Sequence, residues 1–370
     1  MSRIFLLIGA FALLAAACSG EAAVTTTTTI ATTTTAAPTS TTSSTTSTTT
    51  PGPTTTTTID ESTTVTTAPV GFASPVNGLP ATRDSLLDRR AIGVKIDNHP
   101  QARPQSGLMD ADSVIELRVE GGLTRFIAIF HDNDTDYLGP IRSVRPTDST
   151  MLAAFPAPLA MSGGQPWIQS VHTSRGVGLI GSGAGNMFRV STKVAPHNLF
   201  GDTEDLRAGA DLLEFPDDPP QSMYPIVQWD IPETTADQIV LDWSDEVTVT
   251  WDWDGDRYLR THSGVEHLLV DRGGNTQQIA VEVLVILGAE FYTAFPPPDQ
   301  SDWEAVPALD TAGSGPAWVF ARGAVWEGRW ERANYGDQFR LIGTDGTETG
   351  VPAGFSWVSV FPEHRNVTWE

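Results

Sequence analysis

The sequence predicts an α+β or α/β N-terminal domain followed by a mainly antiparallel β domain, over residues 72–226 and 227–370. Three observations predict it. Alternating apolar strands and helical periodicity mix as far as about Tyr224. Beyond Gln228 only short apolar runs remain, separated by Gly, Asp and Asn turns. The tryptophans concentrate in that second part, where core and hairpin packing use them. A folded region of roughly 300 residues is also large for one core, which is why two domains are expected.

The chain opens MSRIFLLIGAFALLAAACSG. Arg3 precedes an apolar run, Ile4 to Ala17, that is shorter than the about 20 residues of a membrane span. Small residues then lead to Cys18, the single cysteine of 370 residues. Residues 1–18 have the shape of an export signal, with a cysteine where a bacterial lipoprotein is cleaved and lipidated. One departure is Ala15 where Leu is usual, with Leu14 one place earlier. The expected product is extracytoplasmic and held to the cell membrane by its lipid anchor. With no other cysteine, disulfides, thiolate metal sites and cysteine catalysis are excluded. Residues 19–71 collapse to Thr, Ser, Ala and Pro, too poor in apolar side chains to offset ordering entropy, and read as a disordered tether.

The formal net charge is −23, from 45 acidic against 22 basic residues. Such a surface argues against nucleic-acid partners. Yet 9 of the 22 basic residues lie between Arg83 and Arg145, an arginine-rich island in an acidic protein.

Along the folded region, AIGVKID (91–97) is a short strand, and NHPQARPQSG a turn-rich loop carrying Arg103. DSVIELRVE (112–120) alternates, with Ile115, Leu117 and Val119 on one face and Glu116, Arg118 and Glu120 on the other. Gly121–Gly122 breaks the run, and TRFIAIFH (124–131) completes a hairpin. GPIRSVRP is a loop in which Pro140 and Pro146 bracket Arg142 and Arg145. APLAMSGG gives a strand, followed by a helix from about Gln165 with Trp167 and Val171 on one face. DTEDLRAGADLL (202–213) is a second helix, capped by Asp202 or Thr203. Short strands fill the remainder, from QIVLDW to SWVSVFP.

Two kinds of chemistry are written here. Arg118, Arg125, Arg142 and Arg145, with Arg103 behind them, are guanidinium forks suited to phosphate or carboxylate. Against them stand Asp97, Asn98, Glu116 and Glu120, acting as a salt-bridge network or as catalytic or ligand-binding groups. Glu116 and Glu120, about 13 Å apart along one strand, are too distant for a glycosidase pair. APHNLF adds His197, a general acid or base at envelope pH, and Asn198. His99 and His131 are weaker candidates. No HExxH, Cys/His cluster or Gly-x-Ser-x-Gly occurs, so no metal site or serine hydrolase is predicted, and the Gly-rich segments lack a P-loop lysine.

The segments IDNHPQARPQSGLMDADSVIE, VEGGLTRFIAIF, GPIRSVRP and APHNLF resemble, in order and spacing, the YerB-like bacterial lipoprotein family, whose N-terminal part is domain of unknown function 3048. GSGPAWVFARGAVWEGRWERA and DGTETGVPAGFSWVSVFP resemble that family's second domain. The resemblance covers nearly all of the folded chain and implies class and location, with no reaction attached. It also implies a His where this chain has Met161. The order of acid, loop arginine and arginine pair resembles LytR-CpsA-Psr phosphotransferases too, which implies arginines on a pyrophosphate and a divalent cation such as Mg²⁺ held by an acid. Three readings follow. An anionic envelope glycan or phosphate ligand is bound by the Arg/acid cluster. Alternatively, an enzyme acts on phosphate-linked or wall glycan through Asp97, Glu120 or His197. In the third, the protein is a scaffold whose arginines are structural.

Overall fold

Ile92–Asp97 (β1), Ser113–Arg118 (β2) and Thr124–Phe130 (β3) carry Asp97, Glu116, Arg118 and Arg125. The computed structural model describes residues 73–81 and 87–370; the leader, Cys18 and the 19–71 segment lie outside the described residues. β2 and β3 form the expected hairpin, from Ser113 opposite Ile129 to Arg118 opposite Thr124. Between them Glu120–Gly122 makes one 3₁₀ turn, with Gly121 and Gly122 at φ +66° and +70°, where any Cβ is strained. β1 adds antiparallel to β3 and sets Asp97 opposite Arg125.

The chain then enters a helix the sequence did not announce, Pro146–Leu152 (α1). Pro146 opens it, and Asp148 Oδ2 accepts the Arg145 backbone N–H at 2.7 Å. Leu159–Ala160 (β4), the expected helix Pro166–Ser174 (α2) and Leu179–Ile180 (β5) follow. Phe188–Arg189 (β6) and Leu199–Phe200 (β7) pair with each other. Thr203–Leu212 (α3) is capped by Asp202, whose Oδ1 accepts the Glu204 N–H at 2.7 Å.

Strands make up the second half. They begin with Ile226–Val227 (β8), Gln238–Asp242 (β9), Thr248–Trp253 (β10), Tyr258–His262 (β11), Val265–Glu266 (β12) and Leu268–Val270 (β13). Thr276–Gln278 (β14), Ala280–Val281 (β15), Val283–Ala294 (β16), Val306–Asp310 (β17), Gly313–Ala321 (β18) and Ala324–Arg332 (β19) continue them. Arg340–Gly343 (β20), Glu348–Thr349 (β21), Val351–Pro352 (β22), Ser356–Pro362 (β23) and Val367–Trp369 (β24) complete the series. Most pairings are antiparallel, but β23 lies parallel between β16 and β2. Strands from both sides of residue 226 therefore share one 12-stranded sheet, in the order β21-β20-β19-β18-β16-β23-β2-β3-β1-β4-β5 with β17 on β16.

That sheet is covered on both faces, so β1 is buried at every position. On one face Ile115, Leu117, Ile127 and Ile129 pack with Met151, Leu152, Trp167 and Ile168 of the helices. On the other, Val114, Phe126 and Ala128 meet Ile239, Leu241 and Trp251 of a second sheet, β12-β11-β10-β9-β24 with β15 on β11. Glu116, on the Val114 side, is therefore not on a polar face at all: it is 0% exposed between the sheets.

Candidate functional site

Asp97 ends β1 on the rim of the central sheet, where the chain turns through the loop at 98–105. Its carboxylate is almost wholly buried, and four groups surround it. Oδ1 accepts the His99 N–H at 3.1 Å, and Arg125 Nε stands 4.0 Å from the same oxygen. Oδ2 is 2.7 Å from His197 Nδ1 and 3.2 Å from Arg142 Nε. A carboxylate only accepts, so His197 donates from Nδ1. His99 stacks on His197 with centroids 4.5 Å apart. Register explains Arg125, which is the cross-strand partner of Asp97. His197 arrives from a loop a hundred positions away.

Arg145 meets the second acid. Its Nε and Nη2 both reach Glu120 Oε1 at 2.7 Å. Burial raises the Glu120 pKa, but the Arg145 hydrogen bond and charge, with Arg125, hold it below the ordinary value. Glu120 can turn to Arg145 because it belongs to the 3₁₀ turn beyond β2; it does not share a strand face with Glu116. Arg125 donates from Nη1 to the Ser143 carbonyl at 2.8 Å, and burial, with the neighbouring charge of Arg145, lowers its pKa to about 10. The sum is three guanidiniums, of Arg125, Arg142 and Arg145, around two carboxylates, of Asp97 and Glu120. Arg142 Nε is buried, and its ion pair with Asp97 does not make a hydrogen bond. Beneath lies a balanced pair, Lys95 Nζ to Asp148 Oδ1 at 2.7 Å, both fully buried. Burial brings the Lys95 pKa down to about 8 against the pull of Asp148.

Several expected members lie elsewhere. Arg118 donates to the Trp243 carbonyl at 2.9 Å and lies over the Phe291 ring, apart from the other arginines. Asn198 braces its own loop, accepting from Arg189 and donating to the Val190 and Lys193 carbonyls. His131 is buried, with Nε2 3.1 Å from the Arg89 carbonyl. Met161, where the resemblance implies a His, packs in the helix-side core. Arg103 reaches the Asn98 carbonyl at 3.4 Å and faces the second sheet's side of the loop.

Asn98 and Glu116 belong to a closed ring of hydrogen bonds between the sheets, which the sequence did not suggest. Asn98 donates to Thr124 Oγ1 at 2.8 Å, and Thr124 donates to Glu116 Oε1 at 2.7 Å. Arg260 Nη2 reaches the same Glu116 oxygen at 2.7 Å, and Arg260 Nε reaches His267 Nδ1 at 3.1 Å. His267 Nε2 meets Gln105 Oε1 at 3.0 Å, and Gln105 Nε2 returns to Asn98 Oδ1 at 3.0 Å. Arginine can only donate, so His267 is neutral with its proton on Nε2. Burial, and then the Arg260 charge, hold its pKa well below 6.5, in agreement with that tautomer. Trp357 Nε1 donates to Glu116 Oε2 at 2.8 Å, and Arg260 lies among the rings of Trp357, Trp251 and Phe126. The signal for Arg260, His262 and His267 was RTHSGVEH, where an arginine and two histidines crowd one hairpin.

Chemically, the Asp97 rim sets guanidinium donors beside an Asp–His pair. It is a poor cradle for a divalent cation, since Asp97 already faces two guanidiniums and a histidine. Among the described residues no group of three His, Cys, Asp or Glu side chains gathers as a metal site.

Comparison with known proteins places this chain in a family. Residues 76–215 match the N-terminal domain and residues 239–358 the C-terminal domain of the family described as protein of unknown function DUF3048. A Bacillus subtilis (strain 168) protein described as "Putative lipoprotein YerB" is 25% identical over 307 residues, covering 78% of this chain and 86% of that protein. The crystal structure of YerB from Bacillus subtilis superposes with a TM-score of 0.67 at 24% identity, over 80% of this chain and 99% of that one, a likeness of fold. With both domain models matched in order, this chain belongs to the DUF3048 family.

Proposed function

We propose that this protein is a lipid-anchored, extracytoplasmic binding protein whose Asp97 rim holds a phosphate- or carboxylate-bearing ligand of the cell envelope. The location rests on Cys18 behind its apolar leader and on the lipoprotein name of the Bacillus subtilis relative. The observation that carries the binding reading is the surplus of guanidinium. Arg125, Arg142 and Arg145 share two carboxylates, one already committed to His197, and Arg142 Nε has no hydrogen-bond acceptor among the described residues. A buried donor without an acceptor costs about 1–3 kcal/mol, which an arriving oxyanion would recover. The acidic charge over most of the surface would disfavour such a ligand elsewhere on it.

The test is thermal denaturation of the full chain carrying Cys18→Ala, with inorganic pyrophosphate and with oligogalacturonate. At a hundred times Kd a ligand adds about 2.7 kcal/mol, so a rise of roughly 5 °C is expected. Arg142→Ala should abolish the rise. No rise with either probe, or one that survives Arg142→Ala, refutes the reading.

A second reading has its own observation. In the Asp97–His197 pair the carboxylate takes the Nδ1 proton, so a neutral His197 would keep Nε2 as an acceptor, the arrangement of a general base. Turnover of pyrophosphate or a sugar-phosphate by the wild type, lost in His197→Gln with binding retained, would establish it.

A further inference from the structure

A second cluster of arginine and histidine side chains lies on the far side of the 98–105 loop, away from the Asp97 rim. A cavity of about 250 Å³ opens there, lined by Arg103, Pro104, His262, Val265, Glu266, His267, Leu268 and Thr276. Three nitrogens in this neighbourhood are buried with no hydrogen-bond partner: Arg103 Nε, His262 Nδ1 and Nη1 of the wholly buried Arg260. Arg260 has Glu116 as its ion-pair partner, and the other acid acting on Arg103, Asp97, is committed to the opposite rim. Two guanidiniums thus share one buried carboxylate, Glu116. The walls are otherwise mostly apolar, from Pro104, Val265 and Leu268, and exposed Glu266 places a negative charge on the rim.

We propose that this cavity is a second binding site, for an amphiphilic carboxylate: its head on Arg103 and His262, its aliphatic body against Val265 and Leu268. The head must be an anion, because the donors it meets are cationic or unpartnered. It is a single rather than a double charge, because Glu266 stands at the mouth. The body is apolar because the walls offer little else to pair with.

The site responds to pH through His262. The groups that face it are Arg260 on its own strand, His267 beyond the turn, Arg103 from the loop, Glu116 from β2 through Arg260, and Glu266 at the rim. Without a ligand, burial and the two arginines keep His262 neutral, its pKa near 3. A bound carboxylate reverses that balance by giving the imidazolium a counter-charge, so protonation and binding support each other.

Hexanoate is the probe, with hexanol, acetate and hexylamine as controls, titrated calorimetrically into the full chain carrying Cys18→Ala. Hexanoate should bind at pH 7 and bind a few-fold more tightly at pH 5.5, while the three controls fail. Arg103→Gln should weaken hexanoate at least tenfold. Glu266→Gln, an exposed substitution that cannot act by unfolding, should tighten it a few-fold. Arg142→Gln should change nothing, which separates this site from the Asp97 rim. Hexanol binding as well as hexanoate, an affinity indifferent to pH, no effect of Glu266→Gln, or an effect of Arg142→Gln equal to that of Arg103→Gln would each overturn the proposal.

Discussion

Glu116→Gln would test whether the buried ion pair holds the two sheets together. Glu116 and Arg260 are both 0% exposed and 2.7 Å apart. Glu116 also accepts from Thr124 and from Trp357, so both its oxygens are committed to donors. Glutamine keeps the shape but removes the charge, and its amide nitrogen must face either Trp357 Nε1 or the Thr124 and Arg260 donors. Either orientation sets donor against donor. Removing one partner of a buried pair costs about 3–5 kcal/mol. In a folded unit of this size that is a fall in Tm of roughly 6–10 °C. Urea unfolding followed by tryptophan fluorescence is the assay, since Trp251 and Trp357 flank the pair. The double variant Glu116→Gln/Arg260→Met should recover part of the loss, with a coupling of about 1–3 kcal/mol. A loss below about 1 kcal/mol, the worth of an exposed ion pair, would refute the reasoning.

Three other outcomes are expected. Gly122→Ala should cost about 1–3 kcal/mol and more than Gly121→Ala, because a Cβ at 122 meets Ser244 Oγ at 2.7 Å while one at 121 meets nothing within 4 Å; equal losses in chemical denaturation would contradict this. On the acid side, His262 binds its proton near pH 3 when folded and near 6.5 when unfolded. Stability is then complete above 6.5 and lost as pH falls, by about 1.4 kcal/mol per unit between the two values, and His262→Gln should flatten that slope. Lys95 acts on the alkaline side: with its pKa near 8 folded and 10.5 unfolded, the unfolded chain holds more protons between them, so stability rises with pH there. Lys95→Met should remove the rise in denaturant midpoints measured from pH 8 to 10.

The hairpin of β2 and β3, the helices α2 and α3 and the strand-rich second half were legible because each is specified locally, by alternation, helical period or cap. Helix α1 was not. Its PTDSTML carries β-branched and hydroxyl residues of low helix propensity, and its support comes from packing. The rim was half legible. Arg142, Arg145, Glu120 and Asp97 were named, and register with Arg125 follows once β1 is paired with β3. The meeting of His197 with Asp97 depends on a loop from far along the chain. Arg118 was misgrouped for the same reason: its partners, Trp243 and Phe291, belong to the other half. Glu116 misled most. Alternation normally means one wet face, and only the second sheet, with Arg260 more than a hundred residues later, makes that face dry.

The ring that links Asn98, Thr124, Glu116, Arg260, His267 and Gln105 has a direction. Every bond in it points away from Arg260 and ends on Glu116, one way in a single step and the other through His267, Gln105, Asn98 and Thr124. A guanidinium does not release its proton, so no hop can start at the source and none can pass around. The ring is thus an insulator for protons as well as a brace. It runs between the two charged regions, and a proton taken up on one face is not handed through it to the other.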